Sequence, residues 1–300
     1  MNEGNFDAGE PMTIDAFLES AWNDHADHPQ QVAERMAESL HLVQAPEHIP
    51  PFARLLTHVH GEHLGQWQRG IELLEAMRAL PANDGSEAVV GALNRNVATL
   101  RHCSGDAAAL GQLSDDDRIT VLAAAASAFA GRSDYKRALA TYSEALGLAQ
   151  AGLPRGSPAI RALAVGGNNL AAALEEKLDR DASENEGMIR AAEGGLKYWK
   201  LAGTWLEEER AEHRLTRSLL QSGQPHAAIA SAARCVNVCE QNSAPPFELF
   251  FAYAVLALAR RAAGELAPFA SARAQAIALH GQLSDDERQW VQSTLRELGE

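Results

Sequence analysis

In the stretch SDYKRALATYSEALGLAQ, Tyr135, Ala138, Tyr142 and Ala145 succeed one another at intervals of three, four and three, the spacing of a single α-helical face. The same intervals return at Trp67, Gly70, Leu74 and Met77 after LGQ, at Pro225, Ala228, Ala232 and Cys235 after SGQ, and at Ala267, Ala270, Ala274 and Ile277 after AGEL. Each of these helices follows another amphipathic stretch, as at residues 115–130, 204–221 and 247–263, so the recurring unit is a helical hairpin. Small seam residues (Gly70, Ala138, Ala228, Ala270) let the partner helix approach closely, and the apolar face left over must be buried by the next hairpin. Stacking is therefore written into the pattern. Alanine supplies about one residue in five, while Val, Ile and Thr together supply about one in ten. Alanine loses no side-chain entropy in a helix, whereas strands draw on β-branched residues, so an all-α chain is expected.

The segments SDYKRALATYSEAL and GGNNLAAALEEK carry a resemblance to the tetratricopeptide repeat family, the latter being similar to the first helix of such a repeat. The resemblance spans residues 115–280 and extends more faintly over 13–112. It implies a right-handed superhelical array, or solenoid, of antiparallel helical hairpins whose first helices line a concave groove that holds extended peptides or helices. From Trp67 to Tyr135 is 68 residues, two of the family's units of about 34. The later intervals, 90 residues to Pro225 and 42 more to Ala267, call for longer helices or loops.

The expected organisation is a disordered tail over residues 1–12, divergent hairpins over 13–112, and tetratricopeptide-like hairpins with a C-terminal capping helix over 113–300, all in one continuous solenoid. TIDAFLESAWND and PQQVAERMAESLHLV read as the first hairpin, capped near Thr13 or Asp15 and with Pro29 opening its second helix. The near-identical strings GQLSDDDR (111–118) and GQLSDDER (281–288) place Ser114 three residues before Asp117 and Ser284 three before Glu287, the spacing of helix N-caps. The second opens a last helix, 285–298, with a polar surface suited to a cap. Pro- and Gly-bearing breaks at QAPEHIPP, LPANDGSE, AGLPRGSP and QNSAPP separate hairpins and are too short for interdomain linkers.

With 40 acidic and 26 basic residues and a net charge of -14, the chain repels phosphate backbones, so no nucleic-acid partner is expected. The acidic start MNEGNFDAGEPM lacks the basic and apolar regions of a signal peptide, and no run approaches the roughly 18 apolar residues of a membrane span. Three cysteines, Cys103, Cys235 and Cys239, make no disulfide framework. These features point to a cytoplasmic protein.

The segment LLTHVHGEHLGQW groups His58, His60, Glu62 and His63. The string is similar to the T-H-x-H-x-D-H signature of the metallo-β-lactamase hydrolases, in which a loop after a buried strand holds paired zinc ions. Here the flanks are helical, Glu62 stands where that family has Asp, and no later histidine sits at a strand end. A simpler site is conceivable because His60 and His63, three apart, share a helix face with Glu62 at its edge. The expectation is instead that these histidines pack polar edges between helices, satisfied by backbone or carboxylate partners, and that no metal or cofactor is held. Cys235 and Cys239, four apart, read as small packing residues. No phosphate loop or nucleophile elbow is present, and the carboxylates Glu175, Glu176 and Glu207 to Glu209 read as solvated helix surface.

The candidate binding residues are Arg210, His213, Arg214 and Arg217, at i, i+3, i+4 and i+7 of a first helix, with Asn168 and Asn169 on the equivalent helix of the preceding hairpin. An arginine fork beside amide groups suits an acidic segment or a C-terminal carboxylate. The opposing expectation is that the stripe pairs internally with Glu175, Glu176 or Glu207 to Glu209. A second set, Phe247, Phe250, Phe251 and Tyr253, reads as core between the last hairpins. The expected function is a non-enzymatic protein- or peptide-binding scaffold; the alternatives are a metal-dependent hydrolase or metal-binding protein centred on THVHGEH, and a sensor of a signalling peptide or small ligand.

Overall fold

The structure, a computed structural model, describes residues 12–299. The expected tail, apart from Met12, lies outside them. The described residues form fifteen α-helices and no strand, and none of these helices is long and apolar enough to cross a membrane. The chain divides into two compact units, Met1–Gln112 and Leu113–Glu300.

The first unit contains α1 (Ile14–Asp24), α2 (Pro29–Glu38), α3 (Ile49–His58), α4 (Trp67–Met77) and α5 (Glu87–Cys103). The Thr13 hydroxyl caps α1 by accepting from the Ala16 N–H, and Pro29 opens α2 where its missing N–H costs no hydrogen bond. Phe17 of α1 stacks on Phe52 of α3, with ring centroids 5.9 Å apart, and both are buried together with Met36, Leu74 and Leu100. Each such side chain contributes about 1.5–3 kcal/mol by leaving water. Gly70, on the predicted seam of α4, is buried where a Cβ would meet Leu100 Cδ1 at 2.5 Å and His60 Cβ at 3.0 Å. Between α3 and α4 the chain makes one π-helical turn, Val59–His63, in which the Leu64 N–H donates to the Val59 carbonyl at 3.0 Å.

The second unit is a stack of four antiparallel hairpins: α6 (Asp115–Gly131) with α7 (Tyr135–Leu148), α8 (Pro158–Glu176) with α9 (Ala182–Ala202), α10 (Trp205–Gln221) with α11 (Pro225–Gln241), and α12 (Pro246–Ala262) with α13 (Leu266–His280). The first helices α6, α8, α10 and α12 pack in sequence, and each second helix also touches the first helix of the next hairpin. This is the tetratricopeptide-like arrangement that the resemblance implies. The 90-residue interval between Tyr135 and Pro225 holds a complete hairpin. Its second helix, α9, buries Met188, Ala191, Gly195 and Tyr198, which repeat the intervals of three, four and three.

Two details depart from expectation. In α13, Ala267, Ala270 and Ala274 are exposed, and Ala272 and Ala276 face the core. Alanines at 267, 270, 272, 274, 276 and 278 offer several candidate faces. The turn at Gly264 (φ +77) and the packing on α12 select one of them. The last helix is broken at Val291 into α14 (Asp285–Trp290) and α15 (Gln292–Leu298), so that Val291, Leu295 and Leu298 turn inward and α15 rests on α12. Both predicted caps form: the Ser114 hydroxyl accepts from the Asp117 N–H, and Ser284 and Glu287 make a reciprocal capping box.

Candidate functional site

The ridge of α10 is held in place at its start by a capping box between Thr204 and Glu207. Along it, each arginine of the predicted stripe meets a carboxylate from another helix. Arg210 pairs with Glu248 of α12 at 2.5 Å, Arg214 with Glu175 of α8 at 2.7 Å, and Arg217 with Glu297 of α15 at 2.6 Å. The Ser218 hydroxyl also donates to Glu175 at 2.7 Å. His213 does not join the stripe as a cation. Burial, reinforced by Arg214 and Arg217, holds its imidazolium down to about 3, and the neutral ring meets Phe251 edge-to-face at 6.1 Å. The stripe is a ladder of ion pairs rather than a free basic strip.

These rungs differ in weight. Arg210 is well exposed, with 59 % of its side chain accessible, while its partner Glu248 is buried, so solvent screens the arginine end of the pair and the carboxylate end relies on it. Glu175 is largely buried, and desolvation pushes its carboxyl upward against the pull of Arg214 and Ser218. Removing Arg214 would leave that carboxylate buried without its cation. The acids of this region are therefore not all solvated surface: Glu175, Glu209 and Glu212 lie between packed helices. Glu212 accepts from Ser231 at 2.7 Å, Arg234 at 2.9 Å and Lys200 at 3.2 Å. Glu209 accepts from the Cys235 thiol at 3.2 Å through one oxygen, while the other has no hydrogen-bond partner among the described residues. Burial pushes its carboxyl up to about 7.

A cleft of about 320 Å³ opens along this face. Ala172, Val255 and Leu258 give it apolar patches, Glu175, Glu176, His213, Arg214, Arg217 and Gln221 line its polar side, and Ser293, Thr294 and Glu297 of α15 wall it. Arg214 Nε is buried at this site with no hydrogen-bond partner among the described residues. Asn168 and Asn169 are half-buried on α8 and do not line the cleft; neither does Arg210. The local spacing on α10 contains no signal for α15, because Glu297 lies 80 residues from Arg217. The aromatic set also divides: Phe250 is core, whereas Phe247 and Phe251 are half-buried and Tyr253 donates to Glu240.

In the first unit the π-helical turn redistributes the histidines of THVHGEH. Residues five apart on an α-helix point about 140° away from each other, but the wider turn brings His58 Nε2 and His63 Nε2 to 3.1 Å. It sends His60 inward against the Gly70 seam. There both ring nitrogens lack a partner among the described residues, and burial lowers the imidazolium to about 4. The expected polar partners of His60 are thus not found, and His60 and His63 do not share a ligand face. His25, from the turn after α1, takes that place: ligand atoms of His25, His58 and His63 all lie within 4.8 Å of one another. Glu62 sits behind them, accepting from His58 Nδ1 at 3.0 Å. No spacing rule connects His25 to a segment more than thirty residues away. Cys103, Cys235 and Cys239 are buried thiols, none of them joined in a disulfide.

No family model matches the chain, and no curated protein matches it. Among solved structures, a Podosopora anserina protein described as kinesin-light-chain-like, with nearly identical TPR-like repeats, is 15% identical and gives a TM-score of 0.48 over 85% of this chain and 97% of its own. BtubC (BKLC) from P. vanneervenii is also 15% identical, with a TM-score of 0.48 over 73% of this chain and 89% of its own.

Proposed function

We propose that the chain is a non-enzymatic scaffold that holds an extended segment of a partner protein in the cleft bounded by α8, α10, α12 and α15. The observation that carries this reading is the cleft itself, which combines apolar patches, Arg217 at its edge and the unpartnered, buried Arg214 Nε. Such a surface offers apolar burial for affinity and a few fixed donors for orientation. An acidic side chain or a chain-terminal carboxylate in the segment would meet Arg217 in place of Glu297. Asn168 and Asn169, further along α8, would extend the contact to the segment's backbone amides. Three cysteines, too few and odd in number for a disulfide framework, support a reducing, cytoplasmic setting.

Arg217→Glu tests the reading with little damage to the core, because its partner Glu297 is 42 % exposed. The native chain would be used to capture a partner, the bound segment mapped and synthesised, and its affinity measured for both proteins. The variant should bind at least about tenfold more weakly, since repulsion is added to lost attraction. Equal affinity with unchanged helical content would place the partner elsewhere and refute the cleft as its site.

A further inference from the structure

We propose that His25, His58 and His63 form a binding site for one divalent transition-metal ion of the zinc class. The site lies in the first unit and does not rest on the cleft. Three elements supply the ligands: the turn after α1, the end of α3 and the π-helical turn. Two tetrahedral zinc ligands at about 2.05 Å from the ion stand about 3.3 Å apart; the observed 3.1 Å between the Nε2 atoms of His58 and His63 is close to that value. The ligand atoms of all three histidines lie within 4.8 Å of one another.

The outer nitrogens are arranged as a metal site needs them. His25 Nδ1 faces the Trp22 carbonyl at 2.5 Å, and a carbonyl can only accept, so the proton is on Nδ1 and Nε2 of the neutral ring is a free lone pair. His58 Nδ1 likewise donates to the Glu62 carboxylate, which orients the ring and raises the basicity of its Nε2. Without the ion, one proton bridges the two facing Nε2 atoms of His58 and His63. Metal binding replaces the bridge with two metal–nitrogen bonds, and the bridging proton moves to Nδ1 of His63, so that each ligand ring binds as neutral imidazole. Imidazole-rich sites favour zinc, copper, nickel and cobalt over calcium or magnesium. Three nitrogens leave a fourth position for water or an outside ligand, and the half-buried rings leave it within reach of solvent. The ion would tie α1 to the segment that follows α3.

The test uses the whole chain, stripped with a chelator and titrated with Co2+ and with Zn2+. One equivalent of Co2+ should give the visible bands of a tetrahedral nitrogen site. It should also quench the fluorescence of Trp22, whose ring is 5.0 Å from His25 and 5.2 Å from His58. His25→Ala and His63→Ala should each weaken Zn2+ binding at least about a hundredfold, and Glu62→Gln about ten- to hundredfold. His28→Ala, an exposed histidine nearby, should have no effect. If a variant fails to fold, the native protein decides: Zn2+ should shield His25, His58 and His63, and not His28, from a histidine-acylating reagent mapped by mass spectrometry. An octahedral Co2+ spectrum, native affinity in His25→Ala, or acylation unchanged by Zn2+ would each overturn the proposal.

Discussion

Glu209 lies on α10 with 1 % of its surface accessible, and burial moves its carboxyl from an ordinary 4.5 to about 7. Between those two values the unfolded chain has lost the proton that the folded chain keeps. The unfolded state then binds fewer protons, so stability falls as pH rises from about 4.5 to about 7, and the full penalty remains above that. Its size is at most on the order of 3 kcal/mol. Replacing Glu209 with Gln removes the ionisation and keeps an oxygen that accepts from the Cys235 thiol. Glu209→Gln should therefore raise the urea midpoint at pH 8, by about 1–3 kcal/mol of stability, and leave it nearly unchanged at pH 4. A variant no more stable than the native chain at pH 8 would show that the carboxylate is ionised there without cost.

At the scale of the helix, a tight junction in the array is where Tyr142 of α7 meets Gly167 of α8 and Gly194 of α9. The Tyr142 hydroxyl donates to the Leu163 carbonyl at 2.7 Å. A Cβ on Gly167 would lie 2.3 Å from that hydroxyl, 2.5 Å from the Ala191 carbonyl oxygen and 2.7 Å from the Gly195 nitrogen. Backbone cannot yield as a side-chain tip can, so Gly167→Ala should destabilise by about 3 kcal/mol or more. Gly147, exposed near the end of α7, has nothing within 4 Å of where a Cβ would stand, and Gly147→Ala should stabilise by about 0.5–1 kcal/mol. Chemical denaturation of the pair checks both signs. The same junction explains what a sequence reader can and cannot see. Hairpins α6–α7 and α10–α11 are legible because Tyr, Ala and Cys mark one face at a helical period. The face of α9 is blurred because Gly194 and Gly195 fill it together. The alanines of α13 recur on too many faces to choose between them. At the histidines, a single π-helical turn changes the period, so that the pairing of His58 with His63 and the inward turn of His60 contradict the spacing. Of the acids that complete the arginine ladder, Glu175 is one of the internal partners the sequence offers, whereas Glu248 and Glu297 stand 38 and 80 residues from their arginines, beyond any local rule.

At the scale of the molecule, residues 113–300 bury their core within their own hairpins, each stabilised chiefly by its neighbours. Expressed alone, this segment should give a helical circular-dichroism spectrum and a cooperative thermal transition; a non-cooperative melt would show that the array depends on residues 1–112. Its end, α15, carries Glu297 to Arg217 at the wall of the cleft. If an acidic partner segment uses that arginine, the chain is its own competitor. Molecules in which Glu297 holds Arg217 are closed to that contact, and a partner's apparent affinity is scaled down by the fraction that are open. An exposed pair of this kind is worth about 0.2–1 kcal/mol, so Glu297→Gln should tighten partner binding by up to about fivefold without adding any contact. The gain should appear mainly as faster association, because what changes is the population of receptive molecules and not the grip on the bound segment.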